Sequence, residues 1–198
     1  MPEQKFVIPF YTQERWQNWI NKVKESGFKI EDQQKGDVFV YMEDDIVLAC
    51  LKVIAKYDKN LLSKEDALGY LNEIKEIVLK KIDPINEDCD MMLESVQLSL
   101  MGVFASFECY LEKAFEKTKS LNKLIKSAVK AEKEENMGAA LGNIAEIGAN
   151  ILSGGKIKVK DLDDVPEGMV AEWLDGIESL SAAMIGDTSY RDDEPDES

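Results

Sequence analysis

A chain of 198 residues with 44% hydrophobic and 32% charged side chains has enough apolar material for one folded domain and is not a disordered protein overall. It holds no histidine and only two arginines, Arg15 and Arg191. That excludes imidazole-dependent triads, His-Glu-x-x-His zinc sites and Glu-x-x-His di-iron bundles, and it weakens any case for bidentate phosphate or guanine reading. The formal charge of −15 is uneven: residues 161–198 carry thirteen acids and one base (net −12), and residues 1–160 carry 26 acids and 23 bases (net −3).

The opening Met1-Pro2-Glu3-Gln4-Lys5 lacks the basic-then-apolar pattern of a signal peptide. The longest uncharged run, Ser95 to Phe107, is shorter than the ~18 residues of a membrane span. Cys50, Cys89 and Cys109 have no Cys-x-x-Cys spacing and read as reduced thiols of a cytoplasmic protein.

In chain order, Trp16, Trp19, Ile20 and Val23 follow Thr12 at helical spacing, predicting an amphipathic helix capped near Thr12 and ended by Gly27. Trp16 and Trp19 are either a core anchor or an exposed aromatic docking face. Phe28 to Ile30 and Val38 to Tyr41 flank a polar stretch and read as a short hairpin, with Ile157 and Val159 a third strand. Glu43-Asp44-Asp45 reads as the acidic start of a helix over Ile46 to Tyr57. Ser63-Lys64-Glu65-Asp66 opens a helix running to Ile82 and stopped by Pro84. Met91 to Phe115 is apolar on most faces and is expected to be central. Helices follow at about Leu121 to Glu134 and Met137 to Leu152. A last one is expected from the Asp164-Val165-Pro166-Glu167 signal to Met184. The predicted fold is mainly α: six to seven helices in a single domain over residues 1–185, with a small two- or three-stranded sheet and a disordered acidic tail over 186–198.

Without histidine, paired carboxylates are the main catalytic option. Glu73-x-x-Glu76 and Glu87-x-x-Asp90 resemble the Mg²⁺-binding pairs of all-helical nucleotide pyrophosphatases. Chance alone gives about 8 acid-x-x-acid pairs at this acid content, and nine occur. Pro84 also separates the two pairs. The Asp58-Lys59-Asn60 turn lacks an EF-hand's central glycine, and Gly154-Gly155-Lys156 lacks the remainder of a P-loop. Gly138-x-x-x-Gly142 with Ala145-x-x-x-Ala149 marks a helix face that allows close backbone approach.

Lys119, Lys123, Lys126, Lys130 and Lys133 fall within one helical sector roughly 80° wide. Leu121, Leu124, Ile125, Ala128 and Val129 lie opposite. This is a basic amphipathic helix, readable as a solvated face or as a surface for phosphate, an acidic membrane or an acidic protein. Lysine-only character without interleaved aromatics argues against sequence-specific nucleic-acid readout. The acidic segment from Asp161 complements the stripe and is expected to fold across it or compete for it, weakly and salt-sensitively.

The stretch Phe10-Tyr11-Thr12-Gln13-Glu14-Arg15-Trp16-Gln17-Asn18-Trp19-Ile20 resembles the start of an uncharacterised family of methanogenic and halophilic archaea. The likeness continues through Met42-Glu43-Asp44-Asp45 and Val96-Gln97-Leu98-Ser99-Leu100, over most of the chain up to the last helix. It implies an archaeal cytoplasm, where an acidic surface also serves solubility in elevated salt. It carries over no catalytic residue.

The sequence favours a non-enzymatic macromolecule-binding or regulatory protein with no cofactor. Its expected partner is a protein or a second copy of the chain, with polyanions secondary. A Mg²⁺-dependent hydrolase built on Glu73, Glu76, Glu87 and Asp90 is the alternative, and a self-assembling structural protein is the third reading.

Overall fold

The computed structural model describes residues 9–31, 35–157, 162 and 164–186, and places seven helices and no strand among them. Helix α1 (Gln13–Ser26) starts where extended Thr12 accepts from the Arg15 N–H, and ends at Gly27, whose φ of 61° is the left-handed conformation that glycine adopts without a Cβ clash. Trp16, Ile20 and Val23 form its buried face.

Helix α2 (Asp37–Asp58) overturns the expected hairpin. Val38 to Tyr41 are its first turns, because the buried series Phe39, Met42, Ile46, Cys50 and Val53 carries helical periodicity further upstream than expected. Phe28 is a loop residue that meets Phe39 edge-on, ring centroids 5.0 Å apart. Ile157 is also in a loop, and Val159, the rest of the expected third strand, lies outside the described residues. Glu43-Asp44-Asp45 is therefore inside α2 and not at its start.

Helix α3 (Lys64–Val78) has Ser63 as its cap, accepting from Asp66 N–H. It stops short of Ile82: the Gln97 side-chain amide donates to the carbonyls of Val78 at 2.7 Å and Lys80 at 3.0 Å, satisfying the helix end. Helix α4 (Glu87–Glu112) is capped by Asn86 and terminated by Lys113 in the left-handed region, so Phe115 lies beyond it. Helices α5 (Leu121–Lys133) and α6 (Met137–Leu152) match the sequence expectation closely. Helix α7 (Met169–Gly186) begins later than the Asp164 signal indicated. Its Val170 N–H donates to the Glu132 carboxylate at 3.2 Å, so the helix start is satisfied by α5.

Helix α4 packs against α2, α3, α6 and α7, while α5 packs on α6 and α7. One apolar cluster spans α1 to α4 together with Leu180 and Ala183 of α7. A second joins α5, α6 and α7 around Ile144, Ile147 and Trp173. The close approaches are not at the predicted Gly138/Gly142 face: a Cβ on Gly142 would meet nothing within 4 Å. They occur at Gly102 against Trp173, at Gly148 against Ser106, and at Gly176, where a Cβ would lie 2.3 Å from the Ser99 carbonyl oxygen. Among the described residues no helix is long and apolar enough to cross a membrane.

Candidate functional site

Helix α5 turns Leu124, Ile125, Ala128 and Ala131 inward. Lys123, Lys126, Lys130 and Lys133 are left on its exposed side. Lys119 lies in the turn before the helix and is bound to Glu146 of α6 at 2.9 Å, a hydrogen bond that pushes its pKa up. The structure thus gathers four of the five predicted lysines on α5 and engages the fifth elsewhere. Lys130 is 3.7 Å from Glu134 with both side chains well exposed, a pairing of small energetic weight. Among the described residues Lys123, Lys126 and Lys133 make no ion pair.

A groove of about 380 Å³ runs beside this face. Lys126, Lys130 and Lys133 line it together with apolar Ile125, Val129 and Val165. Asn122 and Asp164 complete the lining. The α5 helix is why cations and aliphatic carbons meet here: positions 126, 130 and 133 recur at i, i+4 and i+7, with 125 and 129 one step behind.

Two of the α7 acids, Glu172 and Asp175, act on other helices. Glu172 accepts from Ser95 Oγ of α4 at 2.6 Å, and Asp175 contributes to the electrostatics of Glu43 on α2. None of the described α7 acids forms an ion pair with an α5 lysine. Of the rest of the expected acidic partner, Asp164 lines the groove and Glu167 is exposed, while Asp161, Asp163 and residues 187–198 lie outside the described residues.

The tryptophans point inward. Trp16 is 3% exposed in the core. Trp19 is half-buried, its indole N–H donating to Asp45 Oδ2 at 2.7 Å and its ring covered by Lys22 at 4.1 Å. Arg15 closes on the same carboxylate through Nε at 3.0 Å and a second nitrogen at 2.5 Å. Sequence reasoning placed Asp45 at a helix start and missed this role. Its spacing from Arg15 offered no local signal, the two being 30 residues apart.

Glu43, half-buried like the rest of the triplet, meets α4. Ser99 Oγ of α4 lies 2.5 Å from its Oε1 and 2.9 Å from the Val96 carbonyl oxygen. Burial pushes the Glu43 pKa up, opposed by hydrogen bonds from Ser99 and Ser179, with Asp44 and Asp175 adding to the rise.

The four carboxylates of the metal reading do not converge. Glu73 and Glu76 are exposed on α3, Glu76 accepting from Asn72. Glu87 is in the first turn of α4, and Asp90 accepts from the Ile85 N–H at 2.8 Å. Among the described residues no group of three or more acids or thiols could hold a metal ion. Cys50, Cys89 and Cys109 are free thiols, and burial pushes Cys109 up to about 11.

The fold and this face together define an all-helical protein with a lysine-lined groove on its fifth helix. The chain belongs to the family described as uncharacterized protein conserved in archaea (DUF2150), whose model matches residues 9–193. No curated protein and no solved structure matches it.

Proposed function

We propose that this is a non-enzymatic binding protein whose α5 face and adjoining groove receive an acidic segment of a partner polypeptide. The observation that supports it is three exposed ammonium groups, Lys126, Lys130 and Lys133, around a groove lined by Ile125, Val129 and Val165. Such a groove accommodates aliphatic side chains while the rim attracts carboxylates, as in helix-in-groove recognition. A nucleic acid would favour arginines and stacking aromatics, neither of which lines the groove. A bilayer surface would favour a convex face with apolar residues projecting from it. Helix α4, packed on four other helices, serves in this reading as the central element of the scaffold. The cytoplasm is its compartment, consistent with three free thiols.

The test is heteronuclear NMR of the full chain titrated with a synthetic peptide alternating glutamate and leucine, with an oligothymidylate and anionic vesicles as parallel arms. The peptide is expected to shift the amides of α5 and Val165, with affinity falling as salt rises from about 50 to about 500 mM. K126E/K130E/K133E changes only exposed side chains and should fold normally while losing at least about tenfold in affinity, about 1.4 kcal/mol. Unchanged binding by that variant, or tighter binding of oligothymidylate or vesicles, overturns the proposal.

A further inference from the structure

A second concavity, of about 540 Å³, shares no lining residue with the α5 groove and falls in the size range of small-molecule sites. Three helix C-termini meet around it: Tyr57 and Asp58 end α2, Tyr110 and Lys113 end α4, and Ser153 follows α6. The negative ends of three helix dipoles converge there, with the Tyr57 and Tyr110 carbonyls bound by the N–H groups of Asn60 and Lys113. The Asp58 carboxylate supplies further acceptor capacity and accepts from the Tyr110 hydroxyl at 3.0 Å. The Tyr110 and Phe115 rings lie nearly parallel, centroids 6.1 Å apart, and both are half-buried. They form an aromatic platform beside these acceptors. Lys113 and Lys117 line the same cavity, are exposed, and make no ion pair among the described residues.

The backbone gives a separate indication. Lys113 has φ 54° and Asn60, also in the lining, has φ 58°. The left-handed conformation of Lys113 turns the next N–H, that of Ala114, back onto the Cys109 carbonyl at 3.1 Å, a helix-ending position usually filled by glycine. A Cβ there is unfavourable, so lysine at this position is not explained by folding. Strain of this kind collects at binding sites.

We infer that this cavity binds a mononucleotide with an amino-bearing base. The base stacks on the Tyr110/Phe115 platform, its N–H groups face the Asp58 carboxylate, and Lys113 and Lys117 take the phosphate. The inference is independent of the α5 reading.

The test is isothermal titration of the full chain with AMP, CMP and GMP, against inorganic phosphate, the corresponding nucleosides and L-phenylalanine. At least one nucleotide is expected to bind ten times more tightly than its nucleoside and than phosphate. Phe115→Ala and Lys117→Glu should each weaken it about tenfold or more. Lys113→Gly should melt no lower than the parent while losing binding, which separates a ligand role from a structural one. The inference fails if phosphate or the nucleoside binds as well as the nucleotide, or if L-phenylalanine binds more tightly. It fails equally if Lys113→Gly and Lys117→Glu bind like the parent.

Discussion

Gly142 and Gly176 are both helical glycines, and the structure assigns opposite signs to the same added methyl. At Gly176 the new Cβ would lie 2.3 Å from the Ser99 carbonyl oxygen, 2.8 Å from its carbon and 3.0 Å from Val103 Cγ2. The first two are backbone atoms and cannot swing aside, so α7 must lift from α4. Overpacking of this kind costs about 1–3 kcal/mol, and a rigid neighbour puts it at the upper end. Alanine's better helix propensity returns about 1 kcal/mol, leaving a net loss of about 2 kcal/mol. At Gly142, exposed on α6 with nothing within 4 Å, only the propensity gain of about 1 kcal/mol remains. For a chain of this size each kcal/mol moves Tm by about 2–4 °C. Gly176→Ala should therefore melt about 4–8 °C lower and Gly142→Ala about 2–4 °C higher. Thermal and urea unfolding followed by far-UV circular dichroism measures both. If Gly142→Ala is destabilised, the Gly-x-x-x-Gly face is a packing surface after all. If Gly176→Ala matches the parent, the α4–α7 contact is looser than described.

Asp45→Ala removes the acceptor shared by Arg15 and the Trp19 indole. It should lower the unfolding free energy by about 2 kcal/mol in urea, and an unshifted midpoint would contradict the described network. Glu43, Asp44, Asp58, Asp175 and Glu178 all have raised pKa values, burial being the largest cause in each. A carboxyl whose folded pKa is raised makes the native state bind more protons than the unfolded one. Its contribution is fully present at pH values below the ordinary carboxylate pKa and is lost as pH rises through the folded pKa. The protein should melt higher at about pH 5 than at about pH 8, and Glu43→Gln, a neutral isostere, should raise Tm at the higher pH and narrow the gap. Equal pH sensitivity in the variant would place the proton elsewhere.

The elements legible in the sequence were those whose signals are local. Thr12 and Ser63 announce α1 and α3 because each caps an N–H three residues away. Helices α5 and α6 have clear apolar periods. The misreadings have distant causes. The end of α3 is set by Gln97, 19 residues beyond Val78, and the start of α7 by Glu132, 38 residues before Val170. Val38 to Tyr41 carries β-favouring residues, but tertiary burial of Phe39 and Met42 decides for helix. The gathering of Lys123, Lys126, Lys130 and Lys133 on one side of α5 followed from periodicity, whereas their exposure did not. The capture of Lys119 by Glu146, 27 residues on, did not. The cavity at the three helix ends had no linear signature, because its lining comes from three separated stretches.

The three segments that carry the archaeal likeness meet one another in space. Arg15 and Trp19 of the first reach Asp45 of the second, and Glu43 of the second reaches Ser99 of the third. These polar contacts pin α1, α2 and α4 at particular heights along their axes, which interchangeable aliphatic packing does less well. A slide of one helical turn, about 5.4 Å, would leave Trp19 Nε1 and Glu43 facing apolar neighbours without partners, at a cost of ~1–3 kcal/mol for each group. These three segments thus define helix register. Neither the lysine groove nor the aromatic cavity draws a lining residue from them, although the family match over residues 9–193 includes both linings.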